Sequence, residues 1–142
     1  EERYRGYRLD RDQEREDALF DSLGLPDQYA FVVDEGRKYV FSCHPQTDLP
    51  IVNPKDYHRW AGKPYDWDNT LIFDWLKVIE NASEIHVVDT GWFHLVKTLN
   101  LSVPKYWWND SSTGEKWIHG TKGGWSKMEA RGHQIKRHYW LK

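Results

Sequence analysis

Glu84-Ile85-His86-Val87-Val88-Asp89-Thr90-Gly91-Trp92-Phe93-His94-Leu95 is the stretch from which the fold can be read. Ile85-His86-Val87-Val88 reads as a short, largely apolar strand, of the kind found buried inside a parallel sheet. Asp89-Thr90-Gly91 stops it with small turn formers, and Phe93, Leu95, Val96 and Leu99 then recur at helical spacing. A strand that passes through a tight polar turn straight into a helix is one unit of a parallel α/β layer.

The flanking sequence repeats the alternation. Upstream, Leu71, Ile72, Trp75, Leu76 and Ile79 form one face of a helix that Asp68 can cap and that ends near Asn81-Ala82-Ser83. Residues 53–67, rich in Pro, Gly, Asp and aromatics, read as an elaborate loop. Before it, Tyr29-Ala30-Phe31-Val32-Val33 is a continuous apolar run suited to a strand buried on both faces, and Tyr39-Val40-Phe41 and Leu49-Pro50-Ile51-Val52 are weaker strand candidates. The highly charged N-terminal segment predicts a solvated helix from about Asp10 to Leu23, with Ala18, Leu19 and Leu23 facing the body and Gly24 and Pro26 ending it. Downstream, Lys105-Tyr106-Trp107-Trp108 reads as the last strand of the body. The expected fold is a Rossmann-like α/β domain over residues 1–108, with a mostly parallel sheet flanked by helices and right-handed crossovers. Residues 109–142 follow as an irregular, basic, Trp-rich tail, packed on the body or extending from it, with a possible strand at Tyr139–Leu141.

Composition narrows the class. The chain has 142 residues, enough for one domain with a real core, and no apolar run approaches the roughly 20 residues of a membrane helix. A single cysteine, Cys43, excludes an internal disulfide framework and fits a reducing, cytoplasmic setting. Residues 1–104 hold 12 Lys and Arg against 19 Asp and Glu, and residues 105–142 hold 8 against 3. An acidic body with a basic aromatic end argues against a general nucleic-acid binder. The tail's tryptophans suit packing over the body before they suit a glycan or a partner. The only methionine is Met128, from which an upstream segment is expected. Seven histidines show no His-x-x-x-His pair or zincin pattern, so no metal site is expected; Cys43 reads as buried and inert, and the three Asn-x-Ser matches as chance.

The Asp89–Leu95 junction carries the chemistry. The first N–H groups of a helix lack intrahelical partners and favour negative charge, Gly91 permits close approach of a ligand, and the Thr90 hydroxyl can cap the helix or donate to a phosphate. Ligands of open α/β sheets settle beyond the carboxyl ends of the strands, where this turn lies. An ordinary N-cap turn that binds nothing has the same local sequence.

Asp89-Thr90-Gly91-Trp92-Phe93-His94-Leu95 resembles the Asp-Ser-Gly-x-x-His-Leu signature in the C-terminal, donor-binding half of GT-B-type glycosyltransferases, in their heptosyltransferase-like branch, with Thr in place of Ser. Val78-Ile79-Glu80-Asn81-Ala82 is similar to the helix that precedes that strand. The likeness spans residues 28–108 and is specific only over the last forty. It implies that the turn holds the diphosphate of a nucleotide-sugar substrate, without a metal or other cofactor. Thr90 and Gly91 would contact phosphate, Asp89 would fix the turn, and His94 would face the donor or brace the helix, with Trp92 beside them. Asp34, Arg37, Lys38 and Lys63, on candidate rim loops, are possible donor-rim residues. The resemblance also implies that catalytic base and acceptor pocket lie in an N-terminal acceptor domain, which makes this chain a fragment for catalysis. The competing expectation is a non-catalytic binding module whose aromatic tail holds a protein or glycan partner.

Overall fold

The computed structural model describes residues 10–34, 39–41, 45–57, 71–88, 91–109, 125–129 and 132–134. In chain order the regular elements are α1 (Gln13–Leu23), β1 (Ala30–Val33), β2 (Tyr39–Phe41), β3 (Ile51–Val52), α2 (Leu76–Glu80), β4 (Glu84–Val88), α3 (Gly91–Lys97), β5 (Lys105–Asn109), β6 (Trp125–Glu129) and β7 (Gly132–Gln134). Five strands form an all-parallel sheet in the order β3-β1-β4-β5-β6. β2 and β7 pair antiparallel in a separate ribbon, with Val40 opposite His133. The sheet and its helices make the α/β, Rossmann-like fold that the sequence predicts.

Strand order matters more for the site than strand number. From β1 the chain moves to one side to form β3, then crosses back past β1 to form β4, and continues outward to β5 and β6. The direction of winding therefore reverses between β1 and β4, as in the second common order of doubly wound sheets.

Neighbouring Cα partners in a parallel ladder share a face, so the register sorts the core into two sides. Phe31, Val33, Ile85, Val87 and Trp107 project to one side, where Phe31 meets Trp75 and Trp107 meets Phe93. Phe93 stacks on Trp107 with ring centroids 5.3 Å apart and meets Trp125 edge-on at 5.0 Å. The other side carries Ala30, Val32, His86 and Trp108, all buried. β1 is thus buried on both faces, as its unbroken apolar run requires.

α1 begins where the Asp12 carboxylate accepts the Arg15 N–H at 3.1 Å and ends at Gly24 in the left-handed region (φ 58°), the stop expected from the sequence. Its buried stripe is Glu16, Leu19 and Leu23, whereas Ala18 is exposed. Glu16 takes the inward position because Arg11 bonds both of its carboxylate oxygens and also reaches Glu80. Arg15 forks onto Asp74 at 2.8 and 2.9 Å, and Lys77 reaches Asp17 at 2.7 Å, so three cations fasten α1 to the α2 layer.

Two other elements depart from the sequence reading. The expected long helix from Asp68 is a 3-10 turn over Ile72–Trp75 that runs into a short α2, and Leu71 is 54% exposed. The Leu71 N–H is satisfied by the Asp74 carboxylate at 2.9 Å, and Asp68 lies outside the described residues. The last strand of the sheet is not β5: β6, from the segment read as an irregular tail, extends it in register from Lys105↔Trp125 to Asn109↔Glu129. The strand expected at Tyr139–Leu141 and the expected burial of Cys43 lie outside the described residues.

Candidate functional site at the carboxyl edge of the sheet

Parallel pairing brings the carboxyl ends of β3, β1 and β4 to one edge, and the three chain segments leaving them define the candidate site. The first, after β1, is Asp34. The second, after β3, is Asn53 and the 3-10 turn Pro54–Asp56, ending at Tyr57. The third, after β4, is the approach to α3.

Asp34 and the turn after β3 are joined by a compact polar knot. Lys55 Nζ donates to both Asp34 carboxylate oxygens at 2.9 Å, and the buried Asn53 amide donates to the same carboxylate at 2.8 Å. The Asn53 side-chain oxygen in turn accepts the Lys55 backbone N–H, capping the 3-10 turn, and Pro54 follows at a position where no N–H is needed. This sets an ammonium group beside the end of β1. Lys55 and Asn53 went unnoticed in the sequence because residues 53–67 read as loop. The usable signal was Asn-Pro directly after an apolar pair, a helical-turn start.

A separate aromatic cluster gathers around Phe31 of β1, on the face of the sheet that Phe31 shares with Trp107. The Trp75 indole is fully buried, 6.3 Å from Phe31 of β1. Two half-buried rings lean on it from the edge: Tyr57 at 6.1 Å and Trp92, edge-on, at 6.1 Å. Trp92 also sits 5.7 Å from Phe31. Burial, with Asp56 adjacent, pushes the Tyr57 hydroxyl above its ordinary pKa, so this ring stays neutral at physiological pH.

Of the residues singled out in the junction, Gly91 opens α3 and is exposed; a methyl group at its Cα would meet no described atom within 4 Å. Its φ is not in the left-handed region, so this position does not demand glycine for backbone reasons. Trp92 turns inward, as just described. His94 lies exposed on α3 with its ring 5.7 Å from that of Phe93. Asp34 stands at the rim, its carboxylate engaged by Lys55 and Asn53. Asp89, Thr90, Arg37, Lys38 and Lys63 lie outside the described residues. The structure therefore brings Asp34, Gly91 and Trp92 to the carboxyl edge and adds Asn53, Lys55 and Tyr57.

A second polar cluster is remote from this edge. On the opposite face, the Trp108 indole N–H donates to His86 Nδ1 at 2.9 Å, and His86 Nε2 lies 3.0 Å from a Glu84 carboxylate oxygen. An indole N–H only donates, so Nδ1 carries no proton and Nε2–H donates to Glu84. Tyr106 stacks on the imidazole at 4.6 Å. Burial holds the His86 pKa below its ordinary value, with Glu84 working in the opposite direction. Among the described residues no three His, Cys, Asp or Glu side chains gather as metal ligands would, and no helix is long and apolar enough to cross a membrane. Comparison with models of known protein families, with curated proteins and with solved structures finds no match.

Proposed function

We propose that the carboxyl edge between β1 and β4 binds the diphosphate of a nucleotide-sugar, and that the chain is the donor-binding part of a glycosyltransferase-like protein acting with an acceptor-binding partner domain. The observation that carries this reading is the reversal of strand order between β1 and β4. In open α/β sheets the crevice beyond the strand ends at such a point is where ligands collect. The segment with the glycosyltransferase-like signature leaves β4 at that point, and Gly91 is exposed there with open space around it. Lys55 stands at the same edge, its ammonium held in an ion pair with the Asp34 carboxylate. A nucleotide-sugar matches this combination: its diphosphate is a double anion, and its uncharged parts suit the neighbouring rings.

The rival reading, a non-catalytic module that grips a partner through its aromatic tail, is weakened at one residue. Trp125 is 6% exposed and packs into the core against Phe93, so it offers no surface to a partner.

A thermal-shift screen with UDP, GDP, ADP and their sugar conjugates tests the proposal. Ligand at a hundredfold excess over its Kd stabilises the folded state by about 2.7 kcal/mol, a readily measured shift. Gly91→Val places a branched side chain in the open space and is expected to abolish the shift while leaving the unliganded Tm nearly unchanged. Absence of a shift with every nucleotide, or an undiminished shift in the variant, would overturn it.

A further inference from the structure

We infer that the β2–β7 ribbon is a strap across the carboxyl edge of the sheet, opening as a unit to admit the ligand and closing again once it is seated. The inference rests on the proposed diphosphate site and goes further by naming the device that regulates access to it. Chain connectivity carries it. β2 follows the carboxyl end of β1, β7 follows the carboxyl end of β6, and among the described residues the two pair with each other rather than with the sheet. β1 and β6 are separated by β4 and β5, three strand spacings or about 14 Å. Gly132 is three residues beyond Glu129 and so within about 11 Å of it, and Tyr39 is six beyond Val33 and within about 22 Å.

The register gives the ribbon its direction. Tyr39, the first residue of the ribbon reached from β1, lies opposite Gln134, and Gly132, the first reached from β6, lies opposite Phe41. Each strand therefore runs from its own parent strand toward the other's. The closed path from β1 through the ribbon to β6 has to pass the exits of β4 and β5. The crevice proposed for the diphosphate lies between the exits of β1 and β4, at one anchor of this path. Energetics make the strap separable from the sheet. Its ladder is three residue pairs long among the described residues, and a two-stranded ribbon is marginal in water by itself. Releasing it leaves every ladder of the five-stranded sheet intact. So slight a closure is readily tipped by a ligand that contacts the closed form better than the open one.

Hydrogen exchange of the unmodified chain, alone and with UDP, GDP or ADP, tests the strap. Tyr39–Phe41 and Gly132–Gln134 are expected to exchange together, at least about tenfold faster than β1 and β4, and bound nucleotide is expected to slow them about tenfold. Exchange of the ribbon in step with β1 and β4 would overturn the strap. A nucleotide that binds by calorimetry and leaves ribbon exchange unchanged would also overturn it, with the diphosphate site left standing. Val40 and His133 are Cα partners, so Val40→Cys and His133→Cys can be joined by a disulfide in a Cys43→Ser background that removes the only native thiol. The oxidised variant is expected to bind nucleotide at least about tenfold more slowly in stopped-flow tryptophan fluorescence, and reduction to restore the rate. An association rate that oxidation does not change would likewise overturn the strap. If none of the three nucleotides binds the unmodified chain, the diphosphate site fails and ligand-linked closure fails with it.

Discussion

His86 offers a test of the buried polar cluster that is independent of any ligand. Its Nδ1 accepts from Trp108 and its Nε2–H faces Glu84, so the ring is neutral and both nitrogens are engaged. Adding a proton means placing it on Nδ1, against the indole N–H that already points there, inside a site only 2% exposed. The folded-state pKa is consequently depressed below the ordinary 6.5, first by burial and only partly restored by Glu84. The sign follows directly. Below pH 6.5 the unfolded chain binds a proton that the folded chain refuses, so unfolding becomes easier as pH falls. Per proton, stability drops by about 1.4 kcal/mol for each pH unit until the folded pKa is reached. The loss begins near pH 6.5 and continues down to the folded-state pKa, so this single group makes the fold less tolerant of mild acid than of neutral pH. Urea unfolding of the wild type and of His86→Gln over pH 5–8 measures it. At pH 7.5 the variant is expected to be the less stable, having lost the histidine's fitted bonds. Between pH 6.5 and 5.0 its stability is expected to fall less steeply, by up to one proton's worth of slope. Parallel curves, or an NMR titration showing His86 protonating at or above pH 6.5, would refute the tautomer and the reasoning built on it.

Three further outcomes follow from the packing. Trp125→Ala removes the ring that meets Phe93 edge-on and is expected to cost about 3–5 kcal/mol in denaturant unfolding, which would not occur if β6 were a loosely attached tail. Arg15→Ala leaves the Asp74 carboxylate buried without its guanidinium and is expected to cost about 1–3 kcal/mol; Asp74→Asn in the same background should recover part of that loss. Gly24→Ala forces a side chain into the left-handed region and is expected to lower stability by about 1 kcal/mol, whereas Gly91→Ala, where φ is ordinary and space is open, is expected to change it by less than about 0.5 kcal/mol.

Legibility in the sequence tracked how local the determining physics is. β1, β4, α3 and the Gly24 stop were readable because each is specified by its own apolar run or turn residue. β6 was not. Trp125-Ser126-Lys127-Met128-Glu129 has no apolar run, and its place is set by pairing with β5 and by Trp125 reaching Phe93. The inward turn of Glu16 was equally hidden, because a buried carboxylate is tolerable only with Arg11 beside it. At the site, the turn after β4 stood out through Asp-Thr-Gly, but Lys55 and Tyr57 did not. They become site residues only once β3 is laid beside β1, and no spacing within residues 53–67 announces that.

The far edge of the sheet also sets a timetable for synthesis. When a ribosome has delivered residues up to Asn109, β5 has a neighbour on one side only, and the flank of Phe93 that Trp125 will cover is bare. Twenty more residues must emerge before β6 is complete, which takes about 1–4 s at ordinary elongation rates of roughly 5–20 residues per second. For that interval the nascent chain displays an unpaired strand edge beside uncovered aromatic surface, the combination that invites association with neighbouring chains. A stalled or prematurely terminated product ending near residue 110 would keep that edge indefinitely, and would be a substrate for chaperones or proteases rather than a smaller version of the same domain.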